Sequence, residues 1–281
     1  MIPEIIEREE IHLSPHFEKM LISGWSEEVL RNTMTERIVY LSDGYRVKGY
    51  LAYPKFIKKD EKLPCVMWNR GGMKNKGVID SFTARGIFGL IASWGYAVFA
   101  SMYRGSVRGE GEDQFGGGDL NDITNLMMLA EEFPFADTSR WGMEGWSRGG
   151  MMTYLTLMNV PGIKCAVLVG GISDPWAYIK TKPDIIEYYN HKMPGRDIEE
   201  VMRTRSAQYR FEELPRDVKY LLVHGASDDI ILPEHSIEMA RRFGERGVTY
   251  ALHIFEESDH YLRQSRRQVD EVRRGWYEKY L

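Results

Sequence analysis

One pentapeptide constrains this sequence more than any other feature. Residues 145–149 read Gly-Trp-Ser-Arg-Gly and match the pattern Gly-x-Ser-x-Gly. The apolar-rich run at 140–144 predicts a short buried strand before the motif, and residues 150–158 predict a helix after it. A serine on such a sharp strand-to-helix turn has its hydroxyl lifted above the edge of a sheet. In a chain with 27 glycines the pattern alone is weak evidence, so its meaning depends on residues further along the chain.

Two later segments place an acid and a histidine at equivalent positions. The apolar run at 220–223 leads into His-Gly-Ala-Ser-Asp-Asp, and the run at 250–255 leads into Glu-Glu-Ser-Asp-His. Both runs predict strands, and the carboxyl ends of parallel strands meet at one edge of a sheet. We therefore expect Ser147, Asp228 and His260 to converge on one rim.

These three residue types together suit nucleophilic catalysis, in the chain order Ser, Asp, His that is found in α/β-hydrolases. The hydroxyl of Ser147 is a poor nucleophile until His260 accepts its proton. Asp228 is expected to hold the imidazole in the productive tautomer. The backbone N–H of Arg148, the residue after the serine, is the expected first donor to the oxyanion. His224 is expected to be a structural histidine that fixes its own loop.

Three motifs together resemble the prolyl oligopeptidase family of serine peptidases and related esterases. They are Gly-x-Ser-x-Gly-Gly at 145–150, His-Gly-x-x-Asp-Asp-x-x-x-Pro at 224–233, and Asp-His at 259–260. The Tyr-Arg-Gly-Ser segment with its glycine-rich continuation at 103–118, and Asp122 ahead of a predicted helix, are also similar to that family.

The resemblance extends over most of the chain, from about residue 40 to residue 281. It implies an α/β-hydrolase fold, with a mostly parallel central sheet, helices on both faces and a helical cap insertion. It also implies that Ser147, Asp228 and His260 form the catalytic triad. The first aspartate of the adjacent pair matches the family's acid, and the alternative is that Asp229 orients the imidazole.

Two positions depart from the family pattern. Arg148 stands where the family commonly has a tyrosine, but only its backbone N–H is needed for catalysis. The loop after the predicted strand at 64–69 reads Arg70-Gly71-Gly72, with Arg70 where the family's peptidases place an oxyanion-stabilising tyrosine. Either Arg70 or a backbone N–H beside it, such as that of Gly71, is expected to supply the second oxyanion donor.

Four arginines fall on loops near the predicted rim: Arg70, Arg104, Arg108 and Arg148. One interpretation is that some of them recognise an anionic group on the substrate. The other, which we favour because buried arginines are usually paired, is that they hold loops in place. The acids available for such pairs are Asp113, Asp119 and Glu144.

About fifty residues separate the predicted strands at 165–169 and 220–223, which exceeds an ordinary crossover. We interpret approximately residues 172–215 as a helical cap that shapes the substrate pocket and excludes water. A surface crossover without substrate contact is the alternative. The expected substrate contacts are Arg70, Trp146, Trp176 and Tyr178.

Composition restricts the classes of protein to which this chain can belong. The chain has 281 residues, 43% hydrophobic and 28% charged, as is typical of one globular domain over 1–281. A net charge of −4 and a pI near 6.0 argue against nucleic-acid or anionic-membrane partners. No apolar run is long enough to span a membrane, and the acidic start does not resemble a signal peptide.

The cysteines and histidines bear on the cellular compartment and on metal binding. Cys65 and Cys165 lie in apolar runs and are expected to be buried free thiols in a reducing, cytoplasmic compartment. The histidines lack metal-ligand spacing, so no metal and no cofactor are expected. Residues 1–34 predict a helical extension with a helix start at Ser26, packed on the core or on another subunit of a homo-oligomer.

The sequence therefore predicts a hydrolase that cleaves an ester or amide bond through an acyl-enzyme on Ser147. Both a small-substrate esterase and a prolyl-oligopeptidase-like peptidase fit these residues. The large peptidases of the family carry a β-propeller that a chain of 281 residues cannot hold, which favours a small ester, a short peptide or an acylated amino acid. The rival classes are a non-catalytic scaffold that binds a small ligand or partner, and an acyltransferase.

Overall fold

The computed structural model describes residues 2–73, 75–106, 109–180 and 182–281. Within these ranges nine strands form one sheet, in the order β1-β2-β3-β5-β4-β6-β7-β8-β9. The strands are β1 (Glu4–Glu10), β2 (Thr33–Ser42), β3 (Tyr45–Pro54), β4 (Leu63–Asn69), β5 (Ala97–Ser101), β6 (Ala136–Trp146), β7 (Ile163–Val169), β8 (Lys219–Gly225) and β9 (Tyr250–Phe255). Pairing is antiparallel from β1 to β5 across β2 and β3, and parallel between all neighbours from β5 to β9. The predicted mostly parallel sheet is confirmed.

Helices cover both faces of this sheet. In the described residues they are α1 (Pro15–Gly24), α2 (Glu27–Asn32), α3 (Ser81–Ser93), α4 (Leu120–Leu129), α5 (Arg148–Leu157), α6 (Pro175–Ile179), α7 (Pro183–Lys192), α8 (Ile198–Arg203), α9 (Glu234–Arg246) and α10 (Arg266–Tyr280). One apolar core joins the sheet to α4, α5, α9 and the helices between β7 and β8, and a second joins the opposite face to α3 and α10. None of the described helices combines the length and the apolar character that a bilayer crossing requires.

The central strands form because their residues can be buried on both faces. All five residues of β5 are buried, and so is every residue of β8 except its first. Continuous burial of this kind is typical of parallel strands between two helical layers. Cys65 on β4 and Cys165 on β7 are both free and fully buried, and this burial raises the pKa of each thiol to about 12.

The antiparallel end begins with a hairpin that the sequence anticipates. Asp43 and Gly44 join β2 to β3, with φ of 50° and 88°, which is the left-handed backbone that a two-residue turn of this kind requires. The prediction of a helical N-terminal extension over 1–34 is wrong for its first part, since residues 4–10 form the edge strand β1. Its Glu-Ile-Ile-Glu-Arg-Glu-Glu sequence does not alternate, and its charges suit a solvent-facing edge better than a packed helix.

The rest of the N-terminal segment is helical and packs on the core. Ser26 is the N-cap of α2, as expected, and its hydroxyl accepts from the backbone N–H of Val29 at 3.2 Å. The guanidinium of Arg85 on α3 then donates to the carbonyl oxygens of Val29, Leu30 and Thr33 at 2.6–3.2 Å. These bonds satisfy the C-terminal carbonyls of α2 and tie it to α3.

The segment between β7 and β8 contains helices α6, α7 and α8 and lies against loops at the strand ends. The hydroxyl of Tyr189 donates to Sδ of Met73 at 3.2 Å, in the loop after β4. The guanidinium of Arg205 donates to the carbonyl of Gln114 at 2.7 Å, in the loop after β5. Helices are therefore present where the cap was expected, and they contact two loops of the rim.

Candidate active site

Ser147 occupies a strained turn between β6 and α5. Its φ is 57° and its ψ is −120°, a conformation that costs a non-glycine residue about 1–3 kcal/mol. The motif's two glycines allow this turn, because a Cβ on Gly145 would lie 2.1 Å from the carbonyl oxygen of Gly149. A Cβ on Gly149 would lie 1.9 Å from the carbonyl oxygen of Asn69. The close approach of three backbone segments thus dictates the Gly-x-Ser-x-Gly pattern.

Neighbouring strands fix the backbone of the serine. Its N–H donates to the carbonyl of Val169 at 2.9 Å, and its own carbonyl accepts from the N–H of Ile172 at 3.1 Å. Gly71, in the loop after β4, lies so close that a Cβ there would be 3.0 Å from the Cβ of Ser147. The nucleophile turn therefore sits between the ends of β4 and β7, and the serine is half-buried.

The acid and the imidazole meet at the ends of β8 and β9. Nδ1 of His260 lies 2.7 Å from Oδ2 of Asp228. The other oxygen, Oδ1, accepts from the N–H groups of Ile230 and Ile231 at 3.0 and 2.9 Å. Burial favours the protonated acid, but hydrogen bonds from His224 and His260 outweigh it and hold the pKa of Asp228 well below its usual range. Asp229, by contrast, is exposed.

Gly170 links the backbone that binds Ser147 to the Asp228–His260 pair. It directly follows Val169, which binds the serine N–H, and its own N–H donates to the carbonyl of Val223 on β8 at 2.8 Å. A Cβ on Gly170 would lie 3.4 Å from both Oδ2 of Asp228 and Nδ1 of His260. Among the described residues no hydrogen bond joins the Ser147 hydroxyl to the His260 ring, and catalytic bonds of this type often tighten only in the substrate complex.

His224 fixes its own loop, as expected, and it also touches the acid. Its Nε2 lies 2.8 Å from the carbonyl oxygen of Ile231 and its Nδ1 lies 2.7 Å from the hydroxyl of Ser236. Because a carbonyl can only accept, the proton is on Nε2, which also lies 3.2 Å from Oδ2 of Asp228. This second contact was not predicted, although the spacing of His224 and Asp228 on one turn was visible in the sequence.

The expected oxyanion donors are backbone N–H groups and the side chain of Arg70, and their surroundings differ. Arg148 is the first residue of α5, so its N–H has no acceptor within the helix. The Arg70 guanidinium is fully buried and donates to the carbonyl oxygens of Met102, Gly71 and Lys76 at 3.0–3.1 Å. These contacts hold the loop after β4, and the expected role of this side chain at the oxyanion or the substrate stays a prediction. The backbone N–H groups at Arg70 and Gly71 remain the second candidates.

The side chain of Arg148 turns away from the serine into a buried ion network. It lies 2.7 Å from Asp113 and 2.6 Å from Asp119, and its guanidinium carbon is 4.9 Å from the ring centroid of Phe115. The two carboxylates outweigh the effect of burial and raise the pKa of Arg148 further. The pairing interpretation of the rim arginines therefore describes Arg148 correctly.

Arg104 is also paired, but with acids other than those expected. It binds Asp122 at 2.6 Å and Asp43 at 2.9 Å. Asp122 lies inside the first turn of α4 rather than ahead of the helix, and its carboxylate is fully buried against Arg104 and Ser42. Arg108 lies outside the described residues.

The other expected substrate contacts differ in position. Trp146 donates from its indole N–H to Glu144 at 2.6 Å and faces α3 and α10, opposite the helices between β7 and β8. Its expected contact with the substrate stays a prediction. Trp176 and Tyr178 lie on α6, half-buried, and no hydrogen bond in the described ranges links their side chains to the serine or the imidazole.

The glycine-rich segment at 116–118 binds an acid of its own chain. The N–H groups of Gly116 and Gly117 donate to the carboxylate of Asp119, at 3.1 and 2.7 Å. These donors are therefore already satisfied within the loop after β5. Among the residues that the structure describes, no group of three or more His, Cys, Asp or Glu side chains is placed to hold a metal ion.

The fold and its rim define the class: this is a serine hydrolase with the α/β-hydrolase fold. The sequence profile of the prolyl oligopeptidase family matches residues 82–281, and the chain belongs to that family. The resemblance seen in the motifs is confirmed.

Relatives differ in how much of their length the chain covers. It is 28% identical over 240 residues to the uncharacterized peptidase YtmA of Bacillus subtilis, covering 84% of this chain and 90% of that one. It is 26% identical over 232 residues to dipeptidyl peptidase 8 of Mus musculus, covering 78% of this chain but only 25% of that protein.

Solved structures show the same fold. The acylaminoacyl peptidase of Pyrococcus horikoshii superposes with a TM-score of 0.73 at 22% identity, over 91% of this chain and 43% of that one. A dipeptidyl aminopeptidase IV homologue from Bacteroides ovatus superposes with a TM-score of 0.72 at 20% identity, over 89% and 36%. The chain thus spans less than half the length of these two neighbours.

Proposed function

We propose that this chain hydrolyses an ester or amide bond in a small substrate through an acyl-enzyme on Ser147. The observation that carries the proposal is the 2.7 Å contact between His260 and Asp228, beside a serine held in a strained strand-to-helix turn. Stability alone does not require a serine in that turn, because the conformation is unfavourable for any residue with a Cβ.

Atom positions at Asp228 and His260 support the proposed roles. Nδ1 of His260 faces a carboxylate that stays ionised, so Nδ1 carries the proton and Nε2 is left to accept the proton of Ser147. The imidazole then returns this proton to the leaving group, and water repeats the sequence to release the acyl group. The N–H of Arg148 and an N–H at Arg70 or Gly71 stabilise the oxyanion, and each such donor contributes about 3–4 kcal/mol.

For the substrate we propose a small ester, a short peptide or an acylated amino acid. The contacts of the helices between β7 and β8 with Met73 and Gln114 support a restricted entrance, since these helices lie against the loops after β4 and β5. The names of the relatives, a peptidase, a dipeptidyl peptidase and an acylaminoacyl peptidase, support including short and blocked peptides among the substrates tested.

Labelling with a fluorophosphonate probe tests the nucleophile. The native protein is expected to be labelled at Ser147, and Ser147→Ala is expected to be unlabelled. A folded native protein that resists the probe would favour a ligand-binding scaffold without catalysis.

A panel of p-nitrophenyl esters of increasing acyl length, run beside dipeptide anilides and acylated amino acids, tests the substrate class. Turnover confined to the esters would support an esterase, and turnover of the anilides a peptidase. Transfer of the acyl group to an added alcohol or amine in preference to water would replace hydrolysis by acyl transfer.

A further inference from the structure

Glu144 is a fully buried carboxylate on β6, three positions before the serine. It accepts five hydrogen bonds from four side chains. The donors are the indole N–H groups of Trp68 (2.9 Å) and Trp146 (2.6 Å), two guanidinium N–H groups of Arg273 (3.1 and 2.6 Å), and the hydroxyl of Tyr277 (2.9 Å). We call these five residues the Glu144 cluster.

The position is an unusual one for a charge. The flanking strands β4 and β7 are apolar, and the guanidinium of Arg273 is itself almost completely buried. Replacing such a buried ion pair by apolar side chains is often neutral for stability or increases it. Stability therefore does not explain by itself why a carboxylate and a guanidinium stand here.

The donors come from three chain segments, each of which leads to part of the proposed site. Trp68 lies on β4, directly before the loop of Arg70 and Gly71. Trp146 is adjacent to the nucleophile on β6. Arg273 and Tyr277 lie on α10, the helix that follows the loop of the proposed general base.

The link from α10 back to that loop is direct. The hydroxyls of Ser258 and Ser265 lie 2.7 Å apart, so they join the two ends of the segment that contains His260. The N–H of Leu262 donates to the carbonyl oxygen of Asp259 at 3.1 Å. The N–H of Ser265 donates to the carbonyl oxygen of Leu262 at 3.2 Å. A shift of α10 relative to β6 would therefore carry the imidazole with it.

We propose that the Glu144 cluster sets the relative positions of the nucleophile turn, the oxyanion loop and the imidazole loop by binding all three segments to one buried carboxylate. The inference rests on the proposed function and assigns positioning roles to Glu144 and Arg273, which act through the chain segments that they hold. Rate depends steeply on such alignment, because a displacement of about 1 Å can cost about a hundredfold in rate.

The chain contains a matched control for this cluster. Glu36 on β2 is also buried and also accepts from an arginine and a tyrosine, namely Arg8 and the hydroxyl of Tyr53 at 2.6 Å. These residues lie on β1, β2 and β3, at the antiparallel end of the sheet, and none of the three strands leads to a residue of the proposed site. Glu36→Gln thus removes the same charge from a buried carboxylate, whose arginine partner is here partly exposed, without touching the aligned segments.

The experiment compares Glu144→Gln, Arg273→Lys and Glu36→Gln with the native protein. The number of competent sites is first titrated with the fluorophosphonate, and kcat and KM on the preferred ester are then expressed per titrated site. We expect kcat per site to fall at least about tenfold in Glu144→Gln and less in Arg273→Lys, with KM within about twofold. Glu36→Gln should keep native kcat per site even where its melting temperature falls.

Native kcat per labelled site in both Glu144→Gln and Arg273→Lys would overturn the proposal and leave a purely structural cluster. An equal fall in Glu36→Gln would overturn it as well, since the effect would then be general. If Glu144→Gln does not fold, Arg273→Lys decides, because it keeps the charge and loses the planar guanidinium contacts with Glu144 and Asp270. Failure of the proposed function is distinguishable, because the native protein would then neither react with the probe nor turn over the ester.

Discussion

The two ends of the sheet differ in how exposed their arginine–carboxylate pairs are. At the antiparallel end, exposed ion pairs such as Arg37–Glu9 and Arg46–Glu7 cross between strands on the surface. At the parallel end, Arg148 and Arg273 are almost completely buried and bind carboxylates that are buried as well. These two buried cations hold segments next to the proposed site, whereas the two surface pairs connect strands at the edge of the sheet.

The energetic expectation differs accordingly. A surface pair contributes about 0–1 kcal/mol, because water screens both charges. A buried pair contributes little net stability as a pair. Removal of one partner leaves the other charge buried and uncompensated, which costs about 3–5 kcal/mol. Substitutions at the two ends should therefore have unequal effects on the free energy of unfolding, and only those at the parallel end should affect catalysis.

The largest expected effect is at the nucleophile. Ser147→Ala should lower kcat by about 10⁶-fold, because no other group in the turn can form the acyl-enzyme. Its free energy of unfolding should change by less than about 1 kcal/mol, since only a hydroxyl is lost. Steady-state kinetics on the preferred ester and urea unfolding measure the two quantities, and residual activity within about tenfold of native would refute the assignment.

The next largest effect separates the two adjacent aspartates. Asp228→Asn should lower kcat by about 10⁴-fold, because an amide can present its N–H to Nδ1 and stabilise the wrong imidazole tautomer. Asp229→Asn is the matched control, since that side chain is exposed, and it should stay within about threefold of native. Equal losses in the two variants would mean that the triad acid has been misassigned.

A stability effect tests the comparison between the two ends directly. Arg148→Met should lower the free energy of unfolding by about 3–5 kcal/mol, because it removes the buried guanidinium that binds the carboxylates of Asp113 and Asp119. Arg37→Met, which removes an exposed partner of Glu9, should cost less than about 1 kcal/mol. Urea denaturation of both variants gives the difference, and similar values would show that burial does not distinguish the pairs.

The same variant tests substrate charge. If Arg148 only holds the loop of Asp113 and Asp119, its replacement should leave the ratio of rates on matched neutral and carboxylate-bearing esters unchanged. A selective loss on the carboxylate-bearing ester would restore the anion-recognition interpretation.

Stability should also depend on pH, through the buried ring of His235. His235 is buried, and burial lowers the pKa of its ring from 6.5 to about 4, although Asp174 opposes the shift. Its Nδ1 lies 3.3 Å from the backbone N–H groups of Ser173 and Asp174, as a neutral ring requires. The unfolded chain binds the proton more tightly, so stability is fully present above about pH 6.5 and about 3 kcal/mol is lost as the pH falls towards 4.

Urea unfolding at several pH values between about 4 and 7 measures this slope. His235→Asn should flatten it, whereas His253→Asn, at an exposed position on β9, should leave it unchanged. A slope that survives in His235→Asn would assign the pH dependence to other groups.

Much of the fold follows from local sequence. The apolar runs that became β4, β8 and β9 lie within about two residues of their predicted positions. The runs of β4 and β8 are apolar because these strands are buried on both faces. The edge strand β1 was not predicted, for the opposite reason: its charged sequence has no apolar alternation, and only pairing with β2 makes it a strand.

The residues of the proposed site could be predicted from the sequence, whereas the side-chain contacts around it could not. The identities of Ser147, Asp228 and His260 could be chosen from motif and order alone. The partners of Arg70, Arg104 and Glu144 could not, because a side chain's partners depend on which distant segments fold against it.

By itself, the sequence determined that its apolar runs form strands, where the serine turn lies and which family the chain belongs to, because short contiguous segments carry each of these signals. Only the tertiary structure decided that Arg148 turns into a buried ion network, that Trp146 faces away from the helices between β7 and β8, and that Glu144 gathers donors from three segments. The reason is physical: burial removes water as a hydrogen-bonding partner, so each interior polar group must take the partners that packing brings to it.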